Sequence, residues 1–444
     1  MKYDIVIMGG GPAGIVTAAT ARQNYPKKKI LVISKTKEPV IPCGIPYMFT
    51  TLEKPEQNKM NFPYKEKKIN MVCDEVVKVN RENKSVKTAG EKEFVYGKLV
   101  FATGSHPVCP PIKGCDKFGI YLIEKEFGHL KSLREDFEKA HDIVIVGGGF
   151  IGVELADEFS KSGKNVSIIE RSPCVLFHSF DQEFSDMVTK NLEESKVKII
   201  SGKSAEEFIG GDRVEKVKLN GGKEISADLV VMCIGARSNS KLAEEAGLRV
   251  GERGGIMVDE YMRTNDPDIF AVGDCTEEKD FFTRKRSNVM LASTAVSEAR
   301  IAGSSLYNLT LVRENKGTIA SYSTVVGDTS LASSGMIEKT ARDEGFDVVT
   351  GTAECVDRHP GKLPGAKKTR VKLVFSKCGV LLGGQIAGGE SVGEMINIIN
   401  VAIEKNMAIN EIVTTQMATH PKLTAAPTVY PIITAALDAM RKVS

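Results

Sequence analysis

Cys43 lies in the stretch VIPCGIPYM, residues 40–48, flanked by Pro42 and Gly44 and followed by Pro46. A thiol held in so stiff a segment either packs as a small apolar group or does redox chemistry. Redox work requires a partner for the sulfur, a second cysteine or an atom brought by another molecule. The chain has nine cysteines, scattered without C-x-x-C pairs, and so shows no zinc or iron–sulfur signature; no metal is expected. Most of these thiols are expected to be small packing groups.

A second kind of chemistry is written twice. DIVIMGGGPAG begins at Asp4 and DIVIVGGGFIG at Asp142, each a β-branched strand running into Gly-x-Gly-x-x-Gly. Helical periodicity follows each, and then another apolar strand, KILVISK or NVSIIER. Strand, glycine turn, helix and strand make the unit that holds a dinucleotide. Gly9 and Gly147 permit the tight turn, Gly11 and Gly149 let the backbone approach a pyrophosphate, and Gly14 and Gly152 let helix and strand pack closely. Pro12 and Ala13 open the first helix and Phe150 and Ile151 the second, where unpaired N–H groups attract phosphate. Glu170 ends the second strand of the downstream copy, where a carboxylate accepts ribose hydroxyls and repels the 2′-phosphate of NADP. NADH is therefore the expected ligand, with NADPH left open by the adjacent Arg171. The upstream copy has Ser34 and Lys35 there.

The whole chain fits a protein carrying such units. Its 444 residues allow two to four domains, and 42% hydrophobic with 26% charged residues is ordinary for a globular protein. A net charge of +3 gives no argument for nucleic acid or an anionic membrane. The chain opens on a buried-type strand where a signal peptide would need basic and apolar regions, and no apolar run reaches the roughly 20 residues of a membrane span. A cytoplasmic protein is expected.

Two further segments bring in a resemblance. LVFATGSHP (99–107) ends a strand in Ala102-Thr103-Gly104, and TNDPDIFAVGDCTE (264–277) leads a strand into Gly273-Asp274. With the two glycine turns and PCGIPY, these resemble the pyridine-nucleotide disulfide oxidoreductase family of flavoproteins over essentially the whole chain. The resemblance implies an α/β fold with two Rossmann-like dinucleotide-binding domains and an α+β C-terminal dimerisation domain. An FAD-binding domain would comprise 1–111 and 236–316, an NAD(P)H-binding domain 112–235, and the dimerisation domain 317–444. A homodimer is implied. The first glycine turn would take FAD, with Asp274 on the ribityl chain and Val77, Ala102, Thr103, Gly104, Gly235, Ala292 and Thr294 nearby. The second turn would take NADH, or NADPH.

The better-known members carry C-x-x-x-x-C, but here Met48 stands at the fifth position after Cys43. The sequence thus resembles the single-cysteine branch of coenzyme A-disulfide reductases, NADH oxidases, NADH peroxidases and sulfur reductases. In these the cysteine lies at a helix start against the flavin, and electrons pass from NADH through FAD to the sulfur. The missing second cysteine then marks the place of the acceptor: O2 or peroxide oxygen, a disulfide, coenzyme A disulfide or polysulfide sulfur. Phe150 matches a ring that shields the flavin, or is an apolar contact at a helix start. Glu154 matches a carboxylate near the flavin–nicotinamide contact, or simply favours the helix N-terminus. His420, in ATHPKLTAAPTVYP (418–431), matches a histidine that crosses the dimer as a general acid, or makes an interface hydrogen bond. Departures blur the acceptor. Ser-x-x-Asn is absent before Cys43, Lys362-Leu363 replace an expected tyrosine pair, and Ala425 replaces the glutamate that follows the histidine. Lys362, Lys367, Lys368 and Arg370 suit either coenzyme A phosphates or a solvated hairpin. The rival reading is an electron-transfer flavoprotein serving a small redox protein, with Cys43 only packed. A redox-sensing nucleotide-binding dimer is a third.

Overall fold

A computed structural model describes residues 1–310 and 315–443; residues 311–314, inside the expected segment 236–316, and residue 444 lie outside the description. The chain forms two compact units. The first comprises Met1–Pro110, Leu122–Lys139 and Ile234–Thr318, and the second Pro111–Tyr121, Ala140–Cys233 and Ile319–Ser444.

In the first unit the strands run in the order Asn70–Cys73, Ile30–Ser34, Lys2–Met8, Glu93–Phe101, Ser85–Thr88, Val76–Asn80, and Ile269–Ala271 also pairs with Glu93–Phe101. The pairings among the first four of these, and that of Ile269–Ala271, are parallel. Ile5, Val6 and Ile7 are 0% exposed, the mark of a strand covered on both faces, and this explains why the sequence reads as an unbroken apolar run there. The helix Pro12–Asn24 packs against Ala292–Ser305 on one face, where Thr17, Thr20 and Gly303 allow close approach.

The second unit repeats the parallel plan with Lys198–Ser201, Asn165–Glu170, Asp142–Val146 and Leu229–Met232 in that order, and the helix Phe150–Ser160 follows the glycine turn. Its C-terminal part is an antiparallel sheet, Ser321–Val326, Thr329–Gly335, Leu381–Gly388, Lys368–Ser376 and Val348–Val356. The expected turn near Lys377–Gly379 joins two of these strands, with the Gly379 N–H donating to Ser376 O. Within this unit the buried Lys372 ammonium meets Asp181, Glu183 and Glu338 at 2.9, 2.8 and 2.9 Å. Three carboxylates around one ammonium offset the desolvation that a lone buried charge would suffer.

Candidate active site

Both glycine turns have the backbone their spacing predicts. Gly9 and Gly147 take φ of 121° and 110°, a region that favours glycine. A β-carbon at Gly9 would lie 2.0 Å from the Ala102 carbonyl oxygen, and one at Gly14 or Gly152 would lie 2.0 Å from the carbonyl oxygen of Gly9 or Gly147. These three glycines are compelled by the chain's own packing. Gly11 and Gly149 are different: a β-carbon there meets nothing within 4 Å. The chain leaves that space open on the face where a pyrophosphate would approach. Neither following helix has a side-chain cap or an acid in its first turn, so both positive ends are left for an anion. Both turns fit a dinucleotide.

The ends of the second strands diverge as the sequence indicates. Glu170 accepts the N–H groups of Gly148 at 2.6 Å and Ser172 at 2.5 Å, which fixes the carboxylate beside the turn. Ser34 is buried and donates its hydroxyl to Thr36 O at 2.8 Å. Lys35 pairs with Glu75 at 3.0 Å, and Arg171 and Val77 are exposed.

Around Asp274 the first unit gathers several of the expected residues. Asp274 Oδ2 accepts from Ser105 Oγ at 2.7 Å and Lys125 Nζ at 2.9 Å. Thr103 Oγ1 donates to Asn239 O at 2.6 Å, and Asn239 Nδ2 returns a bond to Thr103 O at 3.0 Å. Gly104 and Gly235 have φ of 68° and 111°, with open space where a β-carbon would be. Ala292 begins its helix exposed, and Thr294 shares a 2.7 Å hydroxyl bond with Thr318. Lys125, Ser105 and Asn239 were not anticipated: each is an isolated polar residue whose role depends on distant chain segments meeting.

Cys43 is exposed, also in the first unit. It sits in a single 3-10 turn, Pro42–Gly44, followed by a second, Pro46–Met48. The expected helix start is thus reduced to isolated turns, because each proline lacks an N–H and Gly44 interrupts the run. What holds this loop is Asn58, 3% exposed, which donates Nδ2 to Ile41 O at 3.1 Å and accepts the Ile41 N–H at 3.0 Å. Arg134 donates to Met48 O at 2.6 Å, and Phe49 meets Phe137 edge-on at 5.5 Å. No periodicity marks Asn58 in the sequence.

Phe150, Glu154 and His420 belong to the second unit. Phe150 stacks on Tyr322 with centroids 4.7 Å apart and planes at 22°. Glu154 accepts the Thr324 hydroxyl at 2.8 Å. Burial pushes the Glu154 carboxyl up to about 7; the Thr324 bond opposes the shift and the nearby Asp157 charge adds to it. A carboxyl with that value can carry or release a proton at neutral pH. Tyr322 and Thr324 alternate on one strand, and only the packing against the glycine helix reveals them. His420 is exposed on a loop, where its Nδ1 accepts the Lys422 N–H at 3.3 Å. Lys367 and Arg370 of the basic hairpin pair with Asp328 at 3.0 Å and Glu354 at 2.9 Å.

The family model for pyridine nucleotide-disulphide oxidoreductases matches residues 3–299, and the model of that family's dimerisation domain matches 321–429. The chain belongs to the pyridine nucleotide-disulphide oxidoreductase family. It is an oxidoreductase of a family that pairs FAD with a pyridine nucleotide, and it carries the family's dimerisation domain. It is similar to an NADH oxidase of Methanocaldococcus jannaschii, 32% identical, with 99% of each chain covered. An NAD(P)H coenzyme A polysulfide/persulfide reductase of Pyrococcus horikoshii is 33% identical over 88% of each chain. Among solved structures, an NAD-dependent persulfide reductase from A. fulgidus matches with a TM-score of 0.92 and 30% identity, covering 100% of this chain and 83% of that one. A water-forming NADH oxidase from Lactobacillus brevis bound to NADH matches with a TM-score of 0.90 and 25% identity, 99% of each chain being covered. Among the described residues no helix is long and apolar enough to cross a membrane.

Proposed function

We propose that this family member is a cytoplasmic homodimer that uses NADH to reduce sulfane sulfur, as in a coenzyme A persulfide, through Cys43. The observation that carries this reading is an exposed Cys43 in a loop braced by Asn58, with buried Met48 where the two-cysteine members have their second thiol. Residues 1–111 with 236–316 form the FAD-binding domain, 112–235 the NAD(P)H-binding domain and 317–444 the dimerisation domain. The first glycine turn and Asp274 hold FAD, and the second turn with Glu170 holds NADH. FAD, when bound, accepts hydride from the pyridine nucleotide and makes two electrons available to sulfur.

The chain's own residues do the rest. The Cys43 thiolate attacks the outer sulfur of a persulfide R–S–S–H, forming Cys43–S–S–H and releasing R–S⁻. Two electrons then cleave the new S–S bond, giving HS⁻ and the Cys43 thiolate again. Phe150 screens the nicotinamide side until NADH arrives. Glu154, titrating near neutrality, holds or gives up a proton beside the hydride path. His420 supplies a proton to the leaving thiolate in the other active site of the dimer.

Similarity to NADH oxidases over nearly the whole chain favours one second reading, reduction of O2 at the same cysteine. Anaerobic turnover with NADH and NADPH against coenzyme A persulfide, coenzyme A disulfide, peroxide and, separately, O2 decides between them. Cys43→Ser should keep NADH-driven bleaching of the flavin while losing about 10³-fold or more in persulfide turnover, as is usual for removal of a covalent nucleophile. Unchanged turnover in that variant would sink the thiol mechanism and favour electron transfer to a separate redox protein.

A further inference from the structure

Behind the Gly273 turn lies a pair of acids that the chemistry above does not use. Glu278 is 7% exposed and Glu298 2%, and both line one small cavity. Two charged carboxylates lining one dry pocket repel each other, and a proton on one of them relieves that repulsion and supplies a donor. Their contacts form a brace. Glu298 Oε2 accepts the Gly273 N–H at 2.7 Å, and its Oε1 accepts the Asn315 amide at 3.1 Å. Glu278 Oε1 accepts the Thr276 hydroxyl at 3.0 Å. Glu298 therefore ends on the backbone of the residue before Asp274. Gly273 itself has φ of 75°, and a β-carbon there would lie 3.0 Å from the Ala13 methyl and 3.2 Å from the Ala295 methyl. The turn is wedged between the starts of two helices, one of them the first glycine helix.

The charges around the pair are matched elsewhere. Asp274 has Lys125, and Glu277 has Arg286 at 2.6 Å and the Gly255 N–H at 2.9 Å. Asp259 has Arg263 at 2.6 Å. Glu260, Lys279 and Arg284 line a cavity of about 20 Å³ beside the pair, and Arg284 turns its guanidinium to the Lys316 carbonyl. Cys275, buried, gives its thiol to Val272 O at 3.3 Å. The packed helix Pro12–Asn24 offers Ala13 and Thr17, neither charged. Burial first, and for Glu298 the neighbouring acid next, raise both carboxyl groups above the ordinary range.

We propose that Glu278 and Glu298 share one proton and act as positioning residues that clamp the Gly273–Asp274 turn, so that loss of the proton loosens the protein's hold on FAD. This rests on the assignment of FAD to that turn. With the proton gone, two carboxylates face each other in a dry pocket, and their separation pulls Glu298 off the Gly273 N–H. The sign follows from the raised values: the clamp is intact below the ordinary carboxylate range and is lost as pH rises through the elevated one.

The test is FAD release from the holoenzyme, read as flavin fluorescence, between about pH 5 and about pH 9, in wild type, Glu278→Gln and Glu298→Gln. Wild type should release FAD about tenfold faster per unit of pH across the titration, whereas Glu278→Gln, whose amide donates without titrating, should vary less than about twofold. In a Glu154→Gln background, which removes the other carboxyl raised to about 7, the infrared C=O stretch of a protonated carboxylic acid should be present at about pH 7 with both glutamates in place and shifted or lost in either variant, a reading independent of flavin and of the folding yield of any one variant. A pH-flat wild type, or a profile that both glutamines reproduce, overturns the clamp. Absence of the infrared band overturns the shared proton. A wild-type protein purified without FAD overturns the flavin assignment and the clamp with it, while the band still reports the proton.

Discussion

At the two glycine turns the backbone is nearly superimposable in its dihedral angles: Gly11 has φ −79° and ψ −174°, and Gly149 has φ −77° and ψ −175°. The difference lies one strand away. Downstream, Glu170 reaches the turn and is locked there by two N–H groups. Upstream, Ser34 fills the corresponding corner: a β-carbon at Gly10 would lie 2.6 Å from its hydroxyl and 3.9 Å from that of Tyr64. The physical lesson concerns what each site must reject. NADH and NADPH differ by a ribose phosphate, so the site that meets both gains from a fixed negative charge. The upstream turn, on the proposed assignment of FAD to it, faces no such twin, and neutral hydroxyls suffice where nothing has to be turned away.

The shared half of the comparison breaks most violently. Gly9→Ala puts a methyl onto a carbonyl oxygen in a region that disfavours a side chain, and should cost about 3–5 kcal/mol with loss of FAD. A thermal melt and the flavin absorbance of the purified protein measure both. Gly11→Ala and Gly149→Ala, with open space around the new methyl, should leave the melt within about 0.5 kcal/mol of wild type. They should each weaken only their own nucleotide, by about tenfold, because the methyl stands where the pyrophosphate approaches. If Gly149→Ala lowered FAD content and Gly11→Ala raised the KM for NADH, the assignment of the two turns would be reversed.

How much of this could be read from residue order depends on range. The glycine turns were legible because turn, helix start and strand lie within one short stretch, and each glycine answers to backbone a few residues away. The family likeness, on motifs such as ATG at 102–104 and GD at 273–274, extended that reading to the whole chain. What stayed hidden is held together by side chains far apart in sequence. Lys125 reaches Asp274, Asn58 reaches Ile41, and Thr324 reaches Glu154, and none of these pairs has a spacing that a periodic pattern could reveal. The helix expected at Cys43 failed for a local reason visible in principle: two prolines and a glycine in five residues favour single turns.

The differing half can be exchanged. Glu170→Ala should raise the KM for NADH by about tenfold and narrow its advantage over NADPH by a similar factor, since one charged ribose contact is worth about 1.5–3 kcal/mol. Ser34→Glu, which writes the downstream pattern into the upstream corner, should slow FAD release by no more than about threefold if the hydroxyls already satisfy the ribose. A much tighter FAD complex would show that the upstream site lacks something the carboxylate supplies, and the contrast drawn here would fail.

The last contrast separates the two regions by pH. Glu154 lies on the downstream glycine helix, and its carboxyl is raised to about 7, while the upstream helix Pro12–Asn24 contains no acid at all. A group whose folded value is raised contributes stability that is complete below its unfolded value, about 4.3 for glutamate, and is lost as pH rises through about 7. Wild type should therefore lose about 1–3 kcal/mol between those limits, and Glu154→Gln should lose none of it, since an amide keeps the Thr324 bond without titrating. The rate of flavin reduction by NADH should bend near pH 7 in wild type and run straight in the variant. The same bend in Glu154→Gln would move the titration to another group and remove Glu154 from the hydride path.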